Sequence, residues 1–169
     1  GNLARIREVV EGTAADIVCF PEACLTGYSS MKPALLDRDS PEVGELLDLA
    51  HVTDKVVVFG FLESGGPYVT QVVAAPDDAM YYRKNHLGVN ERKVFREGDS
   101  IDVLKLHNVN IGVHLCWEGH LPEISTTLRN KGAEVVLIPH SMRGSVETRR
   151  RAWMKYLPAR AYDNHMYVC

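Results

Sequence analysis

The chain has 169 residues, 46% of them hydrophobic and 24% charged, the balance of a globular domain with enough chain for one sizeable core. Nineteen Lys and Arg against 22 Asp and Glu give a formal net charge of −3. That leaves no broad basic surface for a phosphate backbone, so nucleic acid is set aside as a partner. The longest apolar runs, residues 14–20 and 56–62, fall far short of the roughly 18 residues that cross a bilayer, so no membrane partner is expected. The first residues carry no apolar stretch of the secretory kind, which points to the cytoplasm. Four cysteines, Cys19, Cys24, Cys116 and Cys169, are irregularly spaced, with neither a CxxC pair nor a disulfide rhythm, and are expected as thiols.

In chain order, Leu3, Ile6, Val9 and Val10 share one face before Gly12, which predicts an amphipathic helix over residues 3–13. Residues 16–20 predict a short buried strand that stops at Pro21-Glu22. A loop runs to about Ser40, where Ser40-Pro41-Glu42 opens a second helix with Leu46, Leu47, Leu49 and Ala50 on its apolar side. Residues 55–63 and 68–75 predict strands joined by the hairpin turn Ser64-Gly65-Gly66-Pro67. A third strand is expected over residues 80–83, then a long polar segment over 84–99 without clear period.

Residues 101–106 and 109–115 flank Asn108 as another strand pair. Cys116 is followed by a helix with Pro122 in its first turn, Glu123 near its start, Arg129 and Lys131 near its end and Gly132 beyond. Residues 134–139 predict a buried strand, and residues 146–164 a long helix that Pro158 should kink or divide. A last strand begins at Met166. This order implies α/β or α+β architecture, a mixed sheet with some antiparallel pairing covered by helices. Both ends read as cut, because a helix with no preceding strand and a strand with no successor are unusual domain borders.

Three positions can carry chemistry. Cys116 lies where a strand gives way to a helix, so its thiol faces free backbone N–H groups and a positive helix end, which favour thiolate and can hold an oxyanion. A buried structural cysteine fits the same spacing. Glu22 ends a buried strand, where desolvation makes a carboxylate a better base, although a solvated loop acid also fits. Lys84 follows the aromatic run Met80-Tyr81-Tyr82-Arg83 in the same way, and could equally be a surface lysine.

In combination, Phe20-Pro21-Glu22, Tyr82-Arg83-Lys84-Asn85-His86-Leu87 and Cys116-Trp117-Glu118 with Pro122-Glu123 resemble the three signature blocks of the nitrilase superfamily, in the family's order. The resemblance extends through Gly132-Ala133-Glu134 and Ala159-Arg160-Ala161-Tyr162-Asp163-Asn164. It implies a single carbon–nitrogen hydrolase domain over residues 1–169, built as a four-layer αββα sandwich and lacking the first strand and the C-terminal part. It also implies a Glu–Lys–Cys triad: Glu22 as general base, Lys84 as the cation on the tetrahedral intermediate, Cys116 as nucleophile. The Trp117 N–H would share the anion, and Glu91 is the nearest match to a second glutamate that positions substrate. No metal or cofactor is implied. The partners are a small amide, carbamoyl compound or nitrile, and water, with the chain assembled as a homo-oligomer.

Other groupings are weighed beside this. His114, Cys116 and His120 include good zinc ligands but assemble no closed site by spacing alone. His86 or His140 could offer Cys116 a Cys–His dyad. Arg143, Arg149, Arg150 and Arg151 form the one marked basic cluster, read as a solvated helix face rather than a carboxylate site. The alternatives to an amidase are a nitrilase on the same triad and a non-catalytic assembly module of the same fold.

Overall fold

Ile6 and Val10, four residues apart, are buried along one side of helix α1 (Asn2–Gly12), and Leu3 packs on the same cluster. The carbonyls at the end of α1 are capped by a lysine. Lys55 Nζ donates to Val10 O at 2.9 Å and also to Thr13 O, placing positive charge at the negative end of the helix. The computed structural model describes every residue except Ser30, Met142 and Arg143. It divides into two units, residues 1–100 and 101–169.

In the first unit, strand β1 (Ile17–Cys19) pairs in parallel with β2 (Val56–Glu63), Ile17 opposite Val56. Strands β2, β3 (Tyr68–Ala74) and β4 (Ala79–Arg83) form an antiparallel meander, Glu63 opposite Tyr68 and Thr70 opposite Arg83. The sheet order is β1-β2-β3-β4. Helix α2 (Pro41–Thr53) has Pro41 and Glu42 in its first turn, as expected, and buries Val43, Leu46, Leu49 and Ala50. Leu47 is only partly buried, because it lies at the margin of that stripe. Val57, Phe59 and Phe61 of β2, with Val72 and Ala74 of β3, complete the core under α1 and α2. The polar segment after β4 holds one 3-10 turn, Glu91–Lys93.

In the second unit, β5 (Val103–Lys105) is antiparallel to β6 (Asn110–Val113), which continues in parallel to β7 (Val135–Leu137) and β8 (Tyr167–Val168). Helix α3 (Pro122–Asn130) lies against β6 where Gly112 has no side chain; a Cβ there would come within 2.8 Å of Leu128. Ile124, Leu128, Ala133, Val136, Ile138 and Met166 form the core. The long helix expected over residues 146–164 is two helices, α4 (Val146–Trp153) and α5 (Leu157–Asn164). Pro158 explains the break. It has no N–H to give inside a helix, but in the first turn of α5 none is required.

Mixed sheets with helices are therefore present in both units, with parallel and antiparallel pairs in each. Among the described residues no helix is long and apolar enough to cross a membrane.

Candidate active site

The meander of the first unit delivers Lys84 one residue beyond β4. Its N–H donates to Val69 O at 2.9 Å, and its carbonyl accepts the Gly98 N–H at 2.8 Å. The backbone is thus held on both sides while the side chain, 1% exposed, points inward. Nζ donates to Glu22 Oε1 at 2.8 Å and to Glu91 Oε1 at 2.7 Å.

Glu22 arrives from β1. Phe20 N–H extends the pairing to Val58 O at 2.8 Å, Pro21 ends it, and Leu25 N–H returns to Gly60 O at 2.9 Å. The returning turn lies so close to β2 that a Cβ on Gly60 would meet the Ala23 nitrogen at 2.6 Å, so Gly60 is the residue that lets Glu22 approach. Glu91 is the first residue of the 3-10 turn. Its Oε1 also accepts from Tyr28 OH at 2.5 Å, and its Oε2 from Gly88 N–H at 2.6 Å.

Charge follows from these contacts. Burial by itself would lower the Lys84 pKa, but the carboxylates of Glu22 and Glu91 outweigh it and hold the ammonium above the usual lysine range. Burial would raise Glu91, yet Lys84, Tyr28 and Gly88 together keep its carboxyl below the usual range. The result is a buried cation fixed by two carboxylates.

In the second unit, the N–H groups of His114 and Cys116 reach β7 and its extension, at Leu137 O (3.3 Å) and Pro139 O (2.9 Å). Cys116 then turns out of the strand with φ +46°, a left-handed conformation that L-residues adopt at a cost of about 1–2 kcal/mol. The half-buried thiol therefore stands at the head of a 3-10 helix, Cys116–His120, which precedes α3 and which the pattern around Pro122 did not predict. Amides in such a first turn have no partner within the helix, and that of Trp117 is one of them. The Trp117 ring is 49% exposed and lies 4.9 Å from His120, which in turn lies 4.2 Å from Tyr156. The Tyr156 phenol is pushed up by burial and by charge at Cys116.

Glu22, Lys84 and Glu91 are thus brought together in the first unit, while Cys116 and Trp117 occupy the turn of the second. Tyr28 was missed, since nothing in its spacing ties it to Glu91. His114 is fully buried with Nε2 3.2 Å from Ser125 Oγ, its pKa pushed down to about 3, mainly by burial. His140 Nδ1 lies 2.6 Å from Ile138 O, and its ring 4.9 Å from Trp153. Among the described residues no three His, Cys, Asp or Glu side chains gather as a metal site. On α4, Arg151 pairs with Glu147 at 2.8 Å on an exposed face, while Arg143 lies outside the described residues.

The carbon-nitrogen hydrolase family model matches residues 1–169. The chain belongs to that family. The chain is 29% identical over 175 residues to an (R)-stereoselective amidase of a Pseudomonas species, covering 99% of the chain and 63% of the relative. It is 30% identical over 164 residues to a nitrilase of Pyrococcus abyssi, covering 91% of the chain and 60% of that protein. The chain therefore spans somewhat over half the length of these relatives. The fold is that of a CN-hydrolase superfamily protein of Xanthomonas campestris, with TM-score 0.86 at 22% identity over 99% of this chain and 68% of the other. An amidase from a Nesterenkonia species gives TM-score 0.81 at 22% identity, covering 99% and 67%. The resemblance to the nitrilase superfamily holds at the level of family and fold.

Proposed function

We propose that the protein hydrolyses a non-peptide carbon–nitrogen bond of a small amide or carbamoyl compound through a thioester on Cys116. The observation that carries this reading is Lys84, a lysine with 1% exposure fixed between two carboxylates. A cation buried at such expense is suited to an anion that develops during a reaction rather than to surface solubility. The left-handed turn at Cys116 supports the same reading, because it presents a thiol at a helix start.

In this mechanism Glu22 accepts the Sγ proton as sulfur attacks the carbonyl carbon. Lys84 and the Trp117 N–H stabilise the oxyanion. Glu22 passes its proton to the departing nitrogen, the carbon–nitrogen bond breaks, and the amine leaves Cys116 acylated. Water then adds to the thioester, giving its proton to Glu22; collapse expels the thiolate, which regains that proton as the acid departs. Glu91, held by Tyr28 and Gly88, keeps Lys84 charged and in place and positions substrate. A nitrile can enter the same path with one additional water, a reading favoured by the 30% identity to the Pyrococcus abyssi nitrilase. On this reading residues 1–169 act as one hydrolase domain, in a cytoplasmic homo-oligomer whose size light scattering would report.

The test is intact mass and turnover with a panel of short amides, carbamoyl amino acids and nitriles, for wild type, Cys116→Ala and Lys84→Ala. Acyl adduct or turnover in wild type, abolished in both variants, is expected. Turnover that survives Cys116→Ala overturns the mechanism, and silence from wild type across the panel favours the non-catalytic assembly module.

A further inference from the structure

The proposed chemistry leaves Glu118 without a role, although it is fully buried at 0% exposure. A carboxylate removed from water is costly unless its oxygens are bonded, so its retention calls for a specific contact. The strand supplies the reason. The N–H groups of His114 and Cys116 point toward β7, so the N–H of Leu115 between them points to the opposite side. There β5 has already ended, its last pair toward Leu115 being Val103 with Gly112. Leu115 is itself 0% exposed, and its amide needs an acceptor that no strand provides.

Glu118 provides it: Leu115 N–H donates to Glu118 Oε2 at 2.7 Å, and Glu118 N–H returns to Leu115 O at 2.9 Å. Only Cys116 and Trp117 lie within this two-way bracket, and Cys116 is the residue at φ +46°. We propose that Glu118 is a positioning residue that holds Cys116 in its left-handed conformation and so sets the reactivity of the thiol. This rests on the reading of Cys116 as nucleophile and adds the device that presents it. The role is geometric, because a negative charge in the first turn opposes a thiolate and offsets the positive helix end. An uncharged acceptor of the same length should therefore serve as well.

The experiment is iodoacetamide alkylation, in which sulfur displaces iodide and the thiol proton passes to buffer, followed peptide by peptide by mass spectrometry. Wild-type Cys116 should react faster than exposed Cys19 and Cys169, and faster than Cys24, whose thiol burial pushes up to about 11. Glu118→Ala should slow Cys116 about tenfold, the fold-change that matches releasing a conformational preference of about 1.4 kcal/mol, and leave the other three rates unchanged. Glu118→Gln should remain within about threefold of wild type. An unchanged Cys116 in Glu118→Ala, or an equal fall in Glu118→Gln, overturns the positioning role. A wild-type Cys116 no faster than Cys19 overturns the nucleophile reading instead, a separate failure. Should circular dichroism show Glu118→Ala unfolded, hydrogen exchange at the Leu115 amide decides: protection in wild type and Glu118→Gln supports the bracket, and rapid exchange refutes it.

Discussion

Replacing Lys84 with Met keeps a long side chain in place and removes only the ammonium. What remains are the Glu22 and Glu91 carboxylates, 2% and 14% exposed, both within bonding distance of the site the nitrogen occupied. Breaking a buried ion pair from one side costs about 3–5 kcal/mol, because the partner charges stay behind. In a chain of this length each kcal/mol lowers Tm by about 2–4 °C, so the variant should melt some 6–20 °C below wild type at pH 7.

The pH dependence of that loss is the sharper signature. In wild type the Glu91 carboxyl is held below its ordinary 4.5, so its contribution is present above that pH and is lost only as pH falls through the depressed value. Lys84 is held above its ordinary 10.5, so its contribution is complete below that pH and is lost as pH rises through the raised value. In Lys84→Met the carboxylates crowd each other without a cation and bind a proton more readily folded than unfolded. Acidification from pH 7 to 5 should therefore narrow the stability gap between the two proteins, by up to about 1.4 kcal/mol per pH unit. Urea denaturation followed by circular dichroism at both pH values measures it, and groups common to both proteins cancel. A gap below about 1 kcal/mol at pH 7, unchanged at pH 5, would refute a buried charge set around Lys84.

Tyr28→Phe removes the hydroxyl that reaches Glu91 at 2.5 Å and should cost about 1–2 kcal/mol by thermal denaturation at pH 7; a loss within error means the contact contributes nothing. His114 is held neutral by burial, its pKa falling from 6.5 to about 3. Its contribution is thus present above pH 6.5 and lost as pH drops toward the folded value. His114→Gln should flatten the stability profile between pH 6.5 and 4.5 relative to wild type, whereas parallel profiles in urea titrations would contradict a buried neutral imidazole.

Where a pattern and its physical cause lie in the same few residues, the sequence was readable. Pro158 announces the division of α4 from α5 because a missing N–H acts locally. Glu22 and Lys84 could be placed because each directly follows an apolar or aromatic run that ends as a strand. The clustering of Glu22 with Lys84 followed only from the family blocks, since 62 residues separate them. The Tyr28–Glu91 contact spans 63 residues between two segments without period, so no spacing rule could find it. Glu118 stands in the first turn of the 3-10 helix, where an acid suits the positive end. Its complete burial was not readable, because it depends on where β5 stops.

The hydrogen bond from Gly98 N–H to the Lys84 carbonyl closes the polar segment into a loop whose two ends meet at the catalytic candidate itself. Closing a longer loop costs only about 0.6 kcal/mol for each doubling of length. A longer loop would therefore leave the clasp at Lys84 and Gly98 intact, while the turn Glu91–Lys93, tied by the Val94 and Phe95 N–H groups to Glu91 O, keeps Glu91 on its Gly88 seat. The segment is clasped at its base, so the backbone of the buried lysine is fixed by bonds at the loop's two ends rather than by the length of the loop between them.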